Sequence, residues 1–306
     1  MDPSTCEILV VGHAALDLIF RVPNMPLAGQ KQPASDLKMA IGGPGANAAI
    51  AIERLGGRAS LLARIGGDAF GDLIAAELTR FGVGREFLCR VEAGSSSVSS
   101  VYVDDCGERQ VVNVLPASLQ VAQDLGPVLR AAERNRFRAV LGDSRWPQAS
   151  AELFSYLAES GLPLVLDFER PSDALLSAGR QATHVFFSQD GLRMFSERPD
   201  PVDGLRIAQA RFAGVVGVTV GEQGAYWLDD GALRHEPAFP VAVRETLAAG
   251  DVWHGAVTLA LGQGLSVQAA VRRANAVAAL KCTRAGGSLG MPEAHQFREF
   301  LGQVNA

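Results

Sequence analysis

Clustered basic residues and closely spaced cysteines are both missing from this sequence. Its 306 residues include 28 Lys and Arg against 33 Asp and Glu, a formal net charge of -5, without a long basic run. Binding of nucleic acid needs clustered positive charge that displaces counterions, so we expect no nucleic-acid partner. The 4 cysteines lie far apart and match neither the C-x-x-C spacing of a metal site nor the density of a secreted disulfide framework. A reducing cytoplasm is therefore the predicted location.

Signals for membranes, zinc and the common phosphate-binding loop are missing as well. The N-terminus opens with an acid rather than a basic region, and no apolar stretch is long enough to span a bilayer. The 5 histidines form neither an H-x-x-x-H nor an H-x-H pair, which argues against zinc. The motif G-x-x-x-x-G-K-[ST] is absent, which excludes a P-loop kinase. We therefore expect a small-molecule partner and no membrane.

Short apolar runs alternate with helix-like stretches along the chain. The runs are Ile8–Gly12, Ala59–Ile65, Ala139–Gly142, Pro163–Leu166, His184–Phe187 and Val215–Val220. This alternation predicts a mainly parallel sheet with helices on both faces, and such sheets bind ligands beyond the carboxyl ends of their strands. The residues expected at that edge are Asp143, Arg145, Asp167, Glu169, Ser188 and Gly221.

Two segments, about 13–40 and 95–115, interrupt this rhythm. The first has strand-like patches without a helix, and the second alternates with period two around a glycine turn near Gly107, which predicts a hairpin. We expect the two segments to form a small β-sheet flap, or lid, over the active edge of the large sheet. Because the sequence shows no repeat, linker or low-complexity segment, residues 1–306 are predicted to form a single α/β domain.

A stretch of small residues at 248–250 leads into Asp251 and an apolar helix. Small residues let the backbone approach an anion, and a helix N-terminus offers unpaired N–H groups and the positive end of its dipole. An Asp at this point can also accept the proton of an attacking hydroxyl during phosphoryl transfer. From local chemistry alone, an ordinary helix cap explains Asp251 equally well.

This stretch resembles the second signature of the PfkB/ribokinase family of sugar and nucleoside kinases, D-T-x-G-A-G-D-x-F-x-x-G. Here it reads ETLAAGDVWHG, residues 245–255. The first signature of the family, a Gly-Gly turn followed by an Asn on a helix, is matched by IGGPGANAAIAIERLGG, residues 41–57, and its companion G-x-D-x-x-G by residues 66–71. The resemblance covers nearly the whole chain. It implies a ribokinase-like fold and an ATP-dependent carbohydrate kinase that uses Mg²⁺.

The resemblance also implies a role for each matching residue. Asp251 matches the catalytic base, and an anion hole matches the backbone of Ala248, Ala249, Gly250 and Asp251. The positions that hold the hydroxyl groups of the phosphate acceptor match Asp17, Gly43 and Asn47. The positions that border the nucleotide match Thr219, Gly221 and Gly224, with Asn275 expected near the adenine.

Three departures separate this chain from the family pattern. Glu245 replaces the usual Asp and Ala248 the usual Gly, although neither change removes the base or the backbone donors. The N-x-x-E element, which organises magnesium through water in the family, should fall near residues 187–191, where neither its Asn nor its Glu is present. The metal ligands therefore stay unassigned, and the phosphates of the nucleotide supply most ligands of the ion.

The GDVWHGA stretch and the general pattern look closest to ketose kinases, in particular to bacterial sulfofructose kinases. Those enzymes act on a sugar with a terminal anion and are expected to surround it with a Lys, an Asn and an Arg, here Lys31, Asn113 and Arg145. Each residue also has a plainer explanation: a solvated loop lysine, a strand-edge asparagine, and a partner for Asp143 or Asp167. Fructose, another ketose or 2-dehydro-3-deoxygluconate is the alternative acceptor, as for a fructokinase, ketohexokinase or 2-dehydro-3-deoxygluconate kinase.

Two other classes of protein compete with the kinase. Residues 43–48 fit G-x-G-x-x-A, and Asp68 follows at about the interval of a dinucleotide-binding acid, as in an NAD-dependent oxidoreductase. That fingerprint should close the first strand, whereas here the preceding DLKMA is a poor buried strand. A silent sugar or nucleotide sensor is the third hypothesis, since the N-x-x-E element is missing. The exposed flap would suit a homodimer that pairs through it.

Overall fold

Apolar strands and amphipathic helices alternate along most of the chain, of which the computed structural model describes residues 6–304. The strands are β1 (Glu7–Val11), β2 (Ala15–Arg21), β3 (Asp36–Gly42), β4 (Arg58–Gly66), β5 (Leu88–Val91), β6 (Ser97–Val103), β7 (Arg109–Val114), β8 (Ala139–Gly142), β9 (Leu164–Phe168), β10 (His184–Ser188), β11 (Val215–Thr219), β12 (Ala225–Asp229) and β13 (Ala232–Glu236). The helices are α1 (Pro44–Arg54), α2 (Ala69–Arg80), α3 (Gly126–Glu133), α4 (Pro147–Leu157), α5 (Asp173–Gln181), α6 (Gln189–Ser196), α7 (Pro201–Gln209), α8 (Ala249–Gly262), α9 (Val267–Cys282) and α10 (Ala294–Val304).

The large sheet has the strand order β13-β12-β11-β10-β9-β8-β1-β4-β5. Its strands from β11 to β5 pair in parallel, and β12 and β13 extend one edge in antiparallel fashion. Alternate residues of β1 enter different apolar clusters: Ile8 and Val10 pack with α1, α8 and α9, whereas Leu9 and Val11 pack with α4 and α5. Both faces are therefore covered by helices, which confirms the predicted fold class.

A separate sheet has the strand order β3-β2-β6-β7. β2 pairs antiparallel with β3 and parallel with β6, while β6 and β7 form an antiparallel hairpin whose turn contains Gly107 at a φ of 85°. These strands lie within the two segments predicted for the flap, except that β3 continues two residues beyond the first segment, to Gly42. One face of the sheet carries Asp17, Ile19 and Ser99, of which Ile19 packs against Leu247 beside the start of α8.

The strand before α1 explains why the dinucleotide fingerprint fails. β3 belongs to the small sheet rather than the large one, and its first four residues are exposed. Gly43 has a φ of 90°, and a Cβ at this position would lie 2.5 Å from the carbonyl oxygen of His13. The backbone itself therefore requires this glycine.

The described residues contain no helix that is long and apolar enough to cross a membrane. The cysteines at 6, 89, 106 and 282 are all free thiols.

Candidate active site

The residues predicted at the carboxyl ends of the strands share one edge of the large sheet, where α1 and α8 also begin. The side chain of Asn47, in the first turn of α1, donates from Nδ2 to Oδ2 of Asp251, in the first turn of α8, over 2.7 Å. The fold thus joins the two signature stretches through a direct hydrogen bond. Because the carboxylate bonds to Asn47 and α8 has no side-chain cap, the interpretation of Asp251 as a helix cap is wrong.

The turn that precedes α8 presents free backbone donors. Ala248 holds the left-handed conformation with a φ of 63°, and the Ala249 N–H donates to the carbonyl of Thr246 over 3.2 Å. Within the described chain, the N–H groups of Gly250 and Asp251 have no hydrogen-bond acceptor. A Cβ placed on Gly250 would meet nothing within 4 Å. This anion turn, residues 248–251, can therefore receive a ligand oxygen without rearrangement.

Burial raises the pKa of Asp251 to about 6. The hydrogen bond from Asn47 opposes this shift, while the carboxylates of Glu169, Asp143 and Asp17 add to it. A carboxylate with this pKa is ionised at neutral pH and is more basic than an exposed Asp, as a general base requires.

A second buried carboxyl group lies beside the first. Burial, together with the charges of Asp251 and Glu169, raises the pKa of Asp167 well above its usual range. His254 Nε2 lies 3.6 Å from Asp167 Oδ1, and burial lowers the pKa of this histidine to about 4, so it is neutral. Its Nδ1 lies 2.9 Å from the carbonyl oxygen of Gly250 and can donate there. His254 is packed in the interior, as predicted, and its contact with Gly250 also helps to hold the anion turn in place.

The acceptor side of the site is lined by polar side chains that are largely buried. Asp17 is 7% exposed, and burial raises the pKa of its carboxyl group to about 6 against a hydrogen bond from Ser99. Asn47 is 4% exposed, and its Oδ1 is buried without a partner in the described part of the chain. An unpaired buried oxygen calls for a ligand donor such as a hydroxyl group.

Asp143 has a structural role in this region. Its carboxylate accepts hydrogen bonds from the backbone N–H groups of His13, Gly45, Arg145 and Trp146 over 2.7 to 3.3 Å. These bonds tie the ends of β1 and β8 to the start of α1. The charge of Asp143 is therefore occupied by backbone donors.

Two of the three residues predicted for a terminal anion, Asn113 and Arg145, are each linked to His13. Asn113 donates to the hydroxyl groups of Ser99 and Ser97 over 3.0 and 3.2 Å, and Ser97 contacts His13 Nε2 at 3.0 Å. Burial lowers the pKa of His13 to about 4, and the positive charges of Arg145 and Arg64 add to this shift.

The guanidinium group of Arg145 forms an ion pair with Glu169 at 3.7 Å, a partner that the plainer explanation did not include. The charge of Arg145 also acts on Asp167. Lys31 is exposed on the loop between β2 and β3, and among the described residues it contacts neither Arg145 nor Asn113.

A cavity of about 840 Å³ opens on the other side of the anion turn. All of the residues predicted to border the nucleotide line it, namely Thr219, Gly221, Gly224 and Asn275. A Cβ on Gly224 would lie 2.2 Å from the carbonyl oxygen of Glu236, whereas one on Gly221 would meet nothing within 4 Å. The backbone therefore requires a glycine at 224, and only Gly221 leaves open space that a ligand can use.

Asn275 shapes this cavity through the protein itself. Its Oδ1 accepts from Trp253 Nε1 over 2.7 Å, and its Nδ2 donates to the carbonyls of Glu236 and Pro237 over 2.9 and 3.1 Å. The amide thus fixes the wall formed by residues 236–237 and leaves little capacity for a ligand.

Sequence reasoning missed several residues of the site. Arg109, on the flap strand β7, lines the cavity, and Arg64 stacks over the ring of Trp146 at 4.0 Å. Asp167 was expected only as a residue of the sheet edge. The position of Arg109 next to the predicted hairpin and that of Asp167 at a strand end were the available signals, but neither shows which way the side chain points.

Comparisons with known proteins agree with this geometry. The family model described as pfkB family carbohydrate kinase matches residues 6–294. A deoxyribokinase from Salmonella typhi is 27% identical over 306 residues, which cover 96% of this chain and 98% of the relative.

Solved structures show the same similarity. A protein from Agrobacterium tumefaciens with a provisional assignment as a ribokinase has a TM-score of 0.93 at 31% identity, over 98% of this chain and 99% of that one. A ribokinase from Arabidopsis thaliana, solved with ribose and ATP, has a TM-score of 0.83 at 22% identity, over 98% and 99% of the two chains. These matches confirm the ribokinase-like fold. Since the family model and the relatives cover nearly all of its length, the chain belongs to the pfkB family of carbohydrate kinases.

Proposed function

We propose that this kinase transfers the terminal phosphoryl group of ATP to a hydroxyl group of a ketose with a terminal anion, with 6-deoxy-6-sulfofructose as the leading candidate. The observation that carries the proposal is the position of Asp251. Its carboxylate bonds to Asn47 on the acceptor side, and its own N–H lies in the anion turn that faces the cavity.

The arrangement supports a direct transfer. The acceptor oxygen attacks the γ-phosphorus and forms the new O–P bond, while the bond to the bridging oxygen of ADP breaks. Asp251 accepts the proton of the acceptor hydroxyl, and Asn47 holds the carboxylate in place. The N–H groups of Gly250 and Asp251 stabilise the charge on the transferring phosphoryl oxygens.

The residues around the cavity favour ATP as the phosphoryl donor. They do not favour a metal ion that is held by the protein itself. The cavity of about 840 Å³ is large enough for a nucleotide, and the flap residue Arg109 adds a positive charge to its lining. The described residues contain no group of three His, Cys, Asp or Glu that could hold a metal. Near the expected N-x-x-E element, Ser188 caps α6 and Asp190 pairs with Arg193. Mg²⁺ therefore stays a prediction, as an ion held mainly by the nucleotide phosphates.

The charges near Asn113 support an anionic acceptor. The charges of Arg145 and Arg64 both act on His13, and Asn113 is linked to the same histidine through Ser97. Backbone donors occupy Asp143, and the guanidinium group of Arg145 pairs only loosely with Glu169, at 3.7 Å. A terminal sulfonate could regain lost hydration here through charge-assisted bonds. We place Lys31 above this pocket as a residue that reaches the anion when the flap closes.

A substrate panel tests the proposal. The panel contains sulfofructose, fructose, ribose, deoxyribose and 2-dehydro-3-deoxygluconate, with MgATP and coupled detection of ADP. We expect the highest kcat/KM with sulfofructose, and a preference for a neutral sugar would overturn the anionic assignment. The absence of ADP release with every sugar would support the silent sensor, and reduction of NAD would support the oxidoreductase.

The outer face of the flap supports a homodimer, and the cytoplasm stays the location that we propose. Its register places Leu37, Met39, Val112 and Val114 on the face opposite Asp17, and each of the four is 52 to 58% exposed. A second flap could cover this apolar surface. Sedimentation of wild-type protein and of a Met39→Lys variant tests the assembly, because the charge should shift the equilibrium to monomers.

A further inference from the structure

Lys281 is a fully buried lysine at the end of α9. Its Nζ lies 3.4 Å from Glu245 Oε1 and 3.2 Å from the carbonyl oxygen of Arg284. Burial lowers the pKa of this ammonium group, and the carboxylate of Glu245 opposes that shift. A charge without access to water persists only where its surroundings are built to hold it.

The choice of lysine is itself informative. The chain contains 28 Lys and Arg, of which only Lys31, Lys38 and Lys281 are lysines, and the other two lysines are exposed. A lysine ammonium is a compact point charge, whereas arginine needs room for a planar fork. In a chain that uses arginine at almost every other basic position, the one buried lysine indicates a site shaped for a small monovalent cation.

The carboxylate of Glu245 connects this cation to the anion turn. It accepts hydrogen bonds from the N–H groups of Gly286 and Gly287 over 2.9 to 3.0 Å, and the N–H of Glu245 donates to the carbonyl of Cys282 over 3.2 Å. The ion pair thus fastens the segment before α8 to the end of α9. Thr246 and Cys282, the chain neighbours of the two charged residues, both line the cavity.

The anion turn needs this support because its backbone is strained. Ala248 has a φ of 63°, in the left-handed region that a side chain disfavours. Glu245 anchors the turn three residues earlier, and Leu247 packs against the flap residue Ile19. Strained conformations persist only where the surrounding structure over-determines them.

We propose that Lys281 is a positioning residue whose ammonium group acts as a built-in monovalent cation and keeps the anion turn in its phosphate-binding conformation. The inference rests on the proposed role of that turn. It implies that the wild-type enzyme needs no added monovalent cation, since the site is already filled by a side chain.

Chemical rescue of Lys281→Ala tests the inference, with the exposed Lys38→Met as the matched control. The readouts are kcat with the best acceptor of the panel and the affinities for MgATP and MgADP, because only ATP carries the γ-phosphate that the anion turn contacts. We expect Lys281→Ala to lose at least roughly tenfold in kcat and in ATP affinity but less than about twofold in ADP affinity. Ammonium chloride should restore most of both losses, tetramethylammonium chloride at equal ionic strength should not, and neither should stimulate the wild type or Lys38→Met.

A double variant, Lys281→Met with Glu245→Gln, covers the case in which the single variant does not fold. It removes both charges together and keeps an acceptor for the glycine N–H groups, so we expect a melting temperature near that of the wild type and a kcat at least roughly tenfold lower. Full activity of the double variant, full activity of Lys281→Ala, or stimulation of the wild type by ammonium would each overturn the inference. If Asp251→Asn stays active, the proposed function is wrong, but the inference about Lys281 is not thereby overturned. The affinities of Lys281→Ala for ATP and ADP still decide the role of Lys281.

Discussion

The two sides of the candidate active site are built in different ways. On the acceptor side, Asp17 and Asn47 are buried and Asp251 is half-buried, and burial raises the pKa of both carboxyl groups to about 6. On the nucleotide side, the anion turn offers backbone N–H groups to a cavity lined mostly by small and apolar residues. We therefore predict that recognition of the acceptor depends on side-chain charge, whereas recognition of the phosphates depends on backbone shape. Substitutions that change charge should therefore affect mainly the acceptor side, and substitutions that change backbone shape should affect mainly the nucleotide side.

The largest effect is expected from Asp251→Asn. Asparagine keeps the shape of the side chain but removes its basicity, so turnover should fall by at least roughly 100-fold, the usual contribution of a general base. Affinity for ATP should stay close to that of the wild type, because the backbone donors remain. Steady-state kinetics and calorimetric titration with ATP measure the two quantities. Near-normal turnover would remove Asp251 from its proposed role.

Arg145→Ala should lower kcat/KM for anionic acceptors much more than for neutral ones. Loss of this charge should cost about 2–5 kcal/mol in kcat/KM for sulfofructose and little for fructose, because a bound anion would be left without its partner. Lys31→Ala should act in the same direction with a smaller effect, since Lys31 is exposed. The measurement is kcat/KM for both sugars with each variant. Equal losses for both sugars would assign these residues a structural role.

Two glycines of α8, Gly250 and Gly255, allow a matched test of the space that a side chain would occupy at each position. A Cβ at Gly250 would meet nothing within 4 Å, whereas one at Gly255 would lie 2.6 Å from the carbonyl oxygen of Ala48. Gly250→Ala should therefore keep the stability of the wild type and lower kcat at least roughly tenfold by displacing the phosphate. Gly255→Ala should instead destabilise the fold by about 1–3 kcal/mol through overpacking. Thermal unfolding and kinetics of both variants check this, and unchanged activity of Gly250→Ala would exclude close contact with the phosphate.

The raised pKa of Asp251 also predicts a cost in stability that depends on pH. A carboxyl group whose pKa is about 6 in the folded protein, against about 4 when unfolded, stabilises the fold at low pH and loses that contribution as pH rises through 6. Asp251→Asn should thus raise the free energy of unfolding by about 2 kcal/mol at pH 8 and by almost nothing at pH 4. Urea unfolding at the two pH values measures the difference. An equal effect at both would mean that the charge does not cause it.

The smallest effect is expected in the flap. Closure over bound sugar would exclude water from the activated phosphate, so amide hydrogen exchange in residues 13–40 and 95–115 should slow when substrate is added. The helix α7 provides an internal control, because it packs against α6 and the strands β11 and β12. No change in either segment at saturating sugar would rule out a moving lid.

Much of the fold followed from local patterns. The apolar runs predicted β1, β4, β8, β9, β10 and β11 to within two residues at most ends, because a strand buried on both faces is continuously apolar. The small sheet followed from period-two alternation around Gly107. The sequence did not indicate which face of that sheet covers the site, since a strand shows its alternation but not its orientation in space.

In the candidate site, too, some features follow from local sequence and others only from tertiary packing. The sequence by itself determined the anion turn and the place of Asp251 within it, because small residues before an apolar helix act over a few positions. Only the tertiary structure decided that Asn47 bonds to Asp251, that Glu169 rather than Asp143 pairs with Arg145, and that Lys281 is buried against Glu245. Burial and through-space charge set these pairings and the pKa shifts that follow from them, and both depend on how residues far apart in the chain pack together.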